Sequence, residues 1–261
     1  MLYSNKNKQI EILKQFSEIC LENNIDFYLY FGSLLGAIRH KGFIPWDDDI
    51  DVCLFRNDYE FLFKINWEKY NLRIISNKTD SLMPYPFIKI SKLNTNLFEK
   101  INGNNINIGI HIDVFPIDNY KSGSVWNYNN IMLLLFKNIY DIKTIDISCV
   151  ISPFKKSFIL FCQILLTNIN LDSISKKIEK HATFYSNLRS IKHVGCMVGA
   201  YNLNDYHDIR CFGFPNYVQF ENLLMPVPHN SDKILKNLYG NYMKIPKIED
   251  RQSKHSFNEG I

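Results

Sequence analysis

The sequence lacks the marks of an exported protein. Its six cysteines include no C-x-x-C pair and no spacing with histidine that is typical of a zinc site. The N-terminal stretch MLYSNKNKQIEILKQF carries lysines, but the apolar segment of a secretory signal does not follow them. We therefore expect free, buried thiols and a location in the reducing cytoplasm.

Long apolar runs are also missing. The longest uncharged and largely apolar stretch, Ser157 to Leu171, is interrupted by Gln163, Thr167 and two asparagines. It is shorter than the roughly 20 apolar residues that span a bilayer. The sequence predicts no transmembrane helix.

Positive charge is only slightly in excess. The chain has 30 basic and 26 acidic residues and a formal net charge of +4. Such a charge suits a phosphate-bearing substrate or an anionic lipid surface, but it is too weak to predict a nucleic-acid partner. A hydrophobic fraction of 46% over 261 residues is ordinary for a folded chain with a sizeable core.

The residue patterns predict an α+β fold with a small mixed sheet flanked by helices and a helical insertion. A helix is expected around Ile10 to Cys20, with Asn23 and Asn24 as its stop signal, and another after Gly32. Asn57 is the predicted N-cap of a third helix. Strands are expected at residues 27–31, 49–54, 72–76, 87–91 and 107–115, the last ending before Pro116.

The character of the chain changes after residue 124. We predict a catalytic core at 1–124, a mainly helical insertion at 125–212 and a C-terminal segment at 213–261 that packs back on the core. In the insertion, apolar runs accompany Lys137, Lys155 and Lys156. Apolar segments with lysines favour anionic lipid surfaces, so this region is a hypothetical contact for an acceptor or a membrane.

Four carboxylates, Asp47, Asp48, Asp49 and Asp51, stand within five residues. On a strand, Asp49 and Asp51 point to the same face. Neighbouring carboxylates repel each other unless a cation compensates them, and hard oxygen ligands suit Mg²⁺ or Mn²⁺. A solvated acidic turn is the alternative interpretation. A calcium loop is excluded because Val52 stands where such a loop needs glycine.

A turn before this strand has the features of a phosphate site. Gly32 and Ser33 follow an apolar strand and open a helix, whose free N–H groups attract anions. Arg39, His40 and Lys41 lie between the turn and the acidic strand and are candidate phosphate donors. Each feature alone is also common as an ordinary turn or a solvated helix end.

Two further candidates lie on later predicted strands. Asp113 is an acid between apolar neighbours in IGIHIDVFP, and it can serve as a metal ligand or a base beside an attacking hydroxyl. His111 shares its strand face. Lys89 in FIKIS can face the donor, although a lysine on an edge strand is commonly only solubilising.

These residues resemble a known family. The string FGSLLGAIRHKGFIPWDDDIDV closely resembles the signature of the LicD family, a branch of the nucleotidyltransferase superfamily that includes the fukutin-related proteins. The strings YPFIKIS, GIHIDVFPID and FENLLMPVPHNSDKILKNLYGNYMKIP resemble later blocks of the family in the same order. The resemblance covers most of the chain outside residues 125–213.

The resemblance implies a nucleotidyltransferase-like core and a metal-dependent phosphotransferase. The transferred group would be a phospho-alcohol, with phosphocholine from CDP-choline favoured. The acceptor would be a hydroxyl of lipopolysaccharide, capsule or teichoic acid, or of a lipid-linked precursor. Asp49, Asp51 and Asp113 would be catalytic and would bind Mg²⁺ or Mn²⁺. The predicted substrate-binding residues are Gly32, Ser33, Arg39, His40, Lys41, Asp47, Asp48 and Lys89.

Two other functions stay open at this point. A nucleotidyltransferase that acts on a sugar or another small molecule would use the same motifs but attack the nucleoside-bearing phosphorus. A non-catalytic homologue that binds a nucleotide or a glycan is the second. A peripheral position on the inner face of the plasma membrane is a further hypothesis, because an acceptor can be lipid-linked.

Overall fold

The computed structural model describes residues 2–80, 82–101, 104–120, 127–145, 147, 150, 152–187, 192–199, 204–247 and 251. The first half contains α1 (Leu2–Glu22), β1 (Tyr28–Leu29), α2 (Phe31–His40), β2 (Asp51–Phe55), α3 (Arg56–Phe61), β3 (Leu72–Ile75), β4 (Ile88–Lys92), β5 (Phe98–Ile101), β6 (Asn104–Asn107) and β7 (His111–Tyr120). The second half contains α4 (Tyr128–Thr144), α5 (Pro153–Leu165), α6 (Leu171–Ala182), β8 (His193–Gly195), β9 (His207–Asp208), β10 (Asn216–Phe220), β11 (Leu223–Val227) and α7 (Ser231–Tyr239).

A mixed sheet forms the centre of the molecule. Its main path runs β1-β2-β7-β4-β3, and β8 extends the sheet from the far end of β7, with β9 beside it. The strands β2 and β7 are parallel, whereas β1 with β2 and β4 with β7 are antiparallel. The pairs β5-β6 and β10-β11 are separate hairpins. The predicted α+β class is confirmed.

Helix α1 covers one face of this sheet, as its periodicity predicts. Ile12, Leu13 and Phe16 are fully buried. The ring of Phe16 meets Phe27 edge-on with centroids 5.2 Å apart and stacks on Trp67 at 6.1 Å. Burying one such side chain stabilises a fold by about 1.5–3 kcal/mol, so this helix anchors the core.

Strand β7 continues through Pro116, beyond the end that the sequence predicts. Strand β4 pairs with β7 only as far as Val114, and β8 pairs only from Asp118 onward. On the edge of β7 that faces β4 and β8, Pro116 lies between the two paired stretches. No hydrogen bond between strands needs its N–H group there, so proline is tolerated. The start of the prediction was also wrong, since Asn107 ends β6 and β7 begins at His111.

The prediction of Asn57 as an N-cap was wrong. Helix α3 begins at Arg56, directly after β2, and Phe55 at its N-cap makes no side-chain cap bond. The Arg56 side chain instead reaches across to β7. A tertiary ion pair thus fixes where this helix begins.

The region after residue 124 contains the three helices α4 to α6 and then the short strands β8 and β9. The predicted boundary between 124 and 125 lies outside the described residues, and the division into three parts stays a prediction. Lys137 does not belong to a lipid-facing surface, as the sequence suggested. It is buried, and its Nζ donates to the carbonyl oxygens of Met197 and Gly199.

The thiols agree with the sequence prediction where they are described. Cys20, Cys53, Cys196 and Cys211 are buried and free, and Cys162 is free and half-buried. Cys149 lies outside the described residues. Among the helices that the structure describes, none has the combined length and apolarity needed to cross a bilayer.

A buried ion pair joins helix α3 to the central strand. Arg56 donates from Nε and Nη2 to the two carboxylate oxygens of Asp118, at 2.7 and 2.6 Å, and Asp118 is fully buried. Burial lowers the pKa of Arg56, but the charge and hydrogen bonds of Asp118, with smaller contributions from Tyr59 and Glu179, together outweigh burial and raise that pKa above its usual value. Glu179 of α6 lies 3.7 Å from the same guanidinium, so the pair also tethers the second half of the chain.

We expect Asp118→Ala to lower the free energy of unfolding by about 3–5 kcal/mol, because it leaves the Arg56 charge buried without its partner. Urea denaturation measures the change. The control is Glu18→Ala, which breaks the exposed pair between Lys14 and Glu18 and should cost about 0.5 kcal/mol or less. Equal effects of the two substitutions would contradict the role of the buried pair.

Candidate active site

A cavity of about 560 Å³ lies where strands β2 and β7 begin. Six of the residues predicted from the sequence line it: Gly32, Arg39, Asp47, Asp49, Asp51 and Asp113. Ser33, His40, Lys41, Asp48 and Lys89 are outside its lining. The fold thus gathers the turn, the acidic strand and the third acid around one space.

Asp51 and Asp113 are neighbours across the parallel strands. They are paired in register, and each is only 7% exposed. The backbone N–H of Asp51 donates to the Ser33 hydroxyl at 2.9 Å, and the Gly32 N–H donates to the Asp51 carboxylate. The predicted turn therefore holds the acidic strand directly.

The electrostatic environment of Asp51 disfavours its charged form. Burial raises the pKa of its carboxyl well above the usual value, and the charges of Asp49, Asp113 and Asp47 raise it further. Only the hydrogen bond from Gly32 opposes them among the principal causes. A cation bound beside these carboxylates would relieve this repulsion.

The absence of a side chain at Gly32 allows the Asp47 carboxylate to approach the backbone. A Cβ atom there would lie 2.6 Å from Oδ2 of Asp47, so any side chain would displace that carboxylate. The preceding Phe31 has φ of +40°, which turns the chain sharply from β1 into α2. This turn brings the helix N-terminus against the Asp47 and Asp51 carboxylates.

Three consecutive acids offer a further set of metal ligands. One carboxylate oxygen each from Asp47, Asp48 and Asp49 can lie within 4.8 Å of the others. The metal set predicted from the sequence, Asp49, Asp51 and Asp113, shares Asp49 with this group. Such oxygen donors fit Mg²⁺ or Mn²⁺, because both ions prefer carboxylates and complete their shells with water and phosphate.

Lys89 lies beneath Asp113 instead of facing the cavity. Its Nζ donates to the two carboxylate oxygens of Asp113 at 2.9 and 3.1 Å, and it lies 3.1 Å from Nε2 of His111. The rings of Tyr85 and Phe87 cover the ammonium group at 4.8 and 5.2 Å from their centroids. Lys89 thus neutralises Asp113 from inside the protein.

His111 completes this buried group as a neutral residue. Burial and then the Lys89 charge lower its pKa to about 4. Its Nδ1 lies 2.8 Å from the carbonyl oxygen of Gly109 and donates to it, so Nε2 accepts from Lys89. The pair of His111 and Lys89 fixes the position of the Asp113 carboxylate.

The side chains of the three basic residues after the turn, Arg39, His40 and Lys41, do not all face the cavity. Arg39 lines the cavity and donates from Nη1 to the carbonyl oxygen of Tyr242 at 2.6 Å and from Nε to His40 at 2.9 Å. Lys41 is exposed, and its backbone carbonyl accepts from the N–H of Glu221. Of the three, Arg39 is the one that the fold directs at the cavity.

Several cavity residues were missed by the sequence analysis. Phe31, Phe87 and Phe115 form a continuous aromatic wall, since Phe115 lies 5.1 Å from Phe31 and 4.6 Å from Phe87 between ring centroids. Tyr140 and Asp141 of α4 also line the pocket, together with Lys137. The available signal was the shared helical face of positions 137, 140 and 141.

The C-terminal segment also contributes to the lining. Tyr239, Tyr242 and Lys244 reach the same cavity from the end of α7. Gly240 ends that helix at φ of +64°, a conformation that favours glycine. The end of α7 thus places three further side chains at the cavity.

The glycine turn, the acidic strand and the third carboxylate on the adjacent strand are the features that the sequence resemblance assigns to a nucleotidyltransferase-like core. Residues 24–141 match the family model described as LicD/FKTN/FKRP, nucleotidyltransferase domain. This stretch contains every site residue predicted from the sequence. The resemblance of this part of the chain to the LicD family is therefore confirmed.

A relative that aligns with most of the chain agrees with this resemblance. The chain is 29% identical to the lipopolysaccharide cholinephosphotransferase LicD of Haemophilus influenzae, in an alignment that covers 94% of this chain and 92% of that protein. Two uncharacterized proteins, from Rickettsia prowazekii and Rickettsia typhi, are 42% identical over 48 residues. Each of those alignments covers 18% of this chain. They cover 18% of the Rickettsia prowazekii protein and 16% of the Rickettsia typhi protein.

We expect Lys89→Met to lower the free energy of unfolding by about 3–5 kcal/mol in the absence of divalent cations, because Asp113 loses its buried counter-charge. Manganese should then stabilise the variant more than the wild type, since a cation in the cavity would replace the missing charge. Thermal unfolding with EDTA and with Mn²⁺ measures both effects.

Lys92→Met is the control for this prediction. It removes a lysine from the same strand, but its partner Glu11 is largely exposed. We expect a small loss of stability and no added response to Mn²⁺. If Lys89→Met behaved like this control, Lys89 would have no role in balancing the charge of Asp113.

Proposed function

We propose that this protein transfers a phospho-alcohol, with phosphocholine from CDP-choline favoured, to a hydroxyl of a cell-surface glycan or its lipid-linked precursor. The observation that carries the proposal is the in-register pair of Asp51 and Asp113 beside the Gly32 turn in one cavity. The similarity along 94% of the chain to a lipopolysaccharide cholinephosphotransferase supports this choice of donor and acceptor.

The acids around the turn would bind the metal and the donor. Asp49 and Asp51 are the proposed ligands of Mg²⁺ or Mn²⁺, with Asp47 and Asp48 close enough to share in the site. These carboxylates would hold the ion beside the donor diphosphate, where it would supply positive charge as the CMP leaves. Gly32 contributes by having no side chain, so that carboxylates and donor can approach closely.

Asp113 is the proposed partner of the acceptor hydroxyl. The hydroxyl oxygen attacks the phosphorus that bears the choline, the bond from that phosphorus to the CMP oxygen breaks, and the hydroxyl proton passes to Asp113. Lys89 and His111 hold the Asp113 carboxylate in place from behind. Alignment of the two substrates would then supply most of the acceleration.

The aromatic wall supports a choline-bearing donor. Phe115 lies two positions after Asp113 on β7, so its ring stands about 6.6 Å further along the same strand face. A quaternary ammonium attached through two carbons to a phosphate beside Asp113 would reach these rings. Aromatic faces attract such cations, whereas they gain little from a glycerol or ribitol chain.

The cavity also has features that suit the rest of the donor and the acceptor. Arg39 is placed to contact phosphate oxygens, and its guanidinium is already held by the Tyr242 carbonyl. An acceptor that carries a lipid would bring the protein to the inner face of the plasma membrane. We include that peripheral position in the proposal.

We expect Asp49→Asn and Asp51→Asn each to abolish turnover without loss of stability. Each substitution removes one of several mutually repelling charges, so the metal-free fold should be as stable as the wild type or more stable. Release of CMP and thermal unfolding in EDTA are the two measurements. Asp26→Asn, at an exposed acid outside the cavity lining, should leave both unchanged.

We expect CDP-choline to bind more tightly in the presence of Mg²⁺ or Mn²⁺, and this gain to be lost in Asp51→Asn, because the metal joins protein carboxylates to the diphosphate. Calorimetric titration with a panel of CDP-alcohols measures it. CMP should be released only when a divalent cation and a hydroxyl acceptor are both present.

The same panel separates the alternatives. If CDP-glycerol or CDP-ribitol binds with this metal dependence and CDP-choline does not, the phosphotransferase proposal survives and the choline assignment is wrong. If no CDP-alcohol binds, but a nucleoside triphosphate does and pyrophosphate is released, the protein is a nucleotidyltransferase.

A further inference from the structure

Helix α5 exposes a continuous apolar face, which consists of Phe154, Phe158, Phe161, Ile164 and Leu165. The side chains of Phe154, Ile164 and Leu165 are 84%, 70% and 66% exposed, and both other phenylalanines are 59% exposed. Spacings of three and four residues put Phe154, Phe158, Phe161 and Leu165 on one stripe of the helix. We call this stripe with Ile164 the α5 face.

The opposite side of α5 is the side that holds it to the protein. Gln163 donates from Nε2 to the carbonyl oxygens of Ile142 and Ile145, at 2.8 and 3.2 Å. Lys143 of α4 donates to the carbonyl oxygen of Leu166 at 2.7 Å. Position 163 lies about half a turn away from the stripe, so these bonds direct the α5 face outward.

The charges on the helix indicate what covers this face. Lys155 is exposed in the first turn at the edge of the α5 face, and Lys156 is exposed on the side of Gln163, seven positions before it. The helix sequence PFKKSFILFCQIL contains no acid. Large apolar side chains with lysine at one edge match the boundary between acyl chains and anionic headgroups. The helix has 13 residues, too few to span a bilayer, so it would lie in the plane of that boundary.

We propose that the α5 face inserts into the surface of an anionic lipid bilayer and holds the protein there. The proposal differs from the surface suggested by the sequence, because Lys137 is buried and plays no part in it. Five large apolar side chains exposed side by side on one helix mark an interaction site. The lysines in the first turn favour an anionic bilayer as the partner over a second copy of the chain.

The α5 face is one helix away from the cavity. Helix α4 lines the cavity with Lys137, Tyr140 and Asp141, and the next residues along it hold α5. A glycan attached to a lipid would thus meet the cavity close to the bilayer surface. This link to the acceptor rests on the proposed function, whereas the membrane contact itself does not.

The experiment is flotation of the full chain with vesicles of phosphatidylcholine, with and without phosphatidylglycerol. We expect the wild type to float with the anionic vesicles. The affinity of Phe158→Ser/Phe161→Ser for these vesicles should be lower by about tenfold or more. The matched control is Phe184→Ser/Phe214→Ser, because these rings are 63% and 92% exposed elsewhere on the surface. Both variants should unfold at the wild-type temperature, since all four rings are exposed.

A second pair of variants tests the charges. Lys155→Glu/Lys156→Glu should lose the preference for anionic vesicles, and Lys64→Glu/Lys69→Glu, which changes two exposed lysines elsewhere, should retain it. Flotation needs no substrate, so it can succeed even if every CDP-alcohol fails to bind.

Two outcomes would overturn the proposal. One is a wild type that stays with the unbound fraction on anionic vesicles, or that floats equally well after Phe158→Ser/Phe161→Ser. The other is a wild-type dimer in analytical ultracentrifugation that this double substitution dissociates, since the α5 face would then bind a second copy of the chain.

Discussion

The repulsion among carboxylates at the start of β2 is the constraint on which the site depends. Asp51 is buried beside Asp113, and the charges of Asp47 and Asp49 also act on it. Two groups reduce this repulsion: the N–H at the beginning of α2 and the buried ammonium group of Lys89. Gly32 leaves room for the Asp47 carboxylate beside the turn. The remaining negative charge is what would draw a metal and a phosphorylated donor into the cavity.

The hydrophobic core makes this arrangement stable. Asp51 and Asp113 project from β2 and β7, whose side chains Val52, Ile112 and Val114 are fully buried. Parallel pairing of β2 with β7 then fixes the register of Asp51 and Asp113. Burial of apolar surface therefore offsets the electrostatic cost of the site, and the rigid sheet prevents the acids from moving apart.

Local patterns predicted much of the fold and the position of the glycine turn and the acidic residues that line the cavity. The apolar strand, glycine turn, helix and acidic strand between residues 27 and 54 are signals within a short stretch, and the structure contains all of them. Contacts distant in the sequence were not accessible in this way. Lys89 was interpreted as a substrate group because its partner, Asp113, is 24 residues away. The Arg56 pair and the α4 wall of the cavity were missed for the same reason.

The pairing of β8 with the end of β7 has a consequence for how such proteins diversify. Tyr120 and His193 are partners in the sheet, so the chain leaves the sheet and returns to it at one position, with α4, α5 and α6 in between. Ends that lie this close let a segment change in length or sequence without altering the strands it connects. This excursion can therefore vary in evolution without disturbing the register that places Asp51 beside Asp113 on β2 and β7.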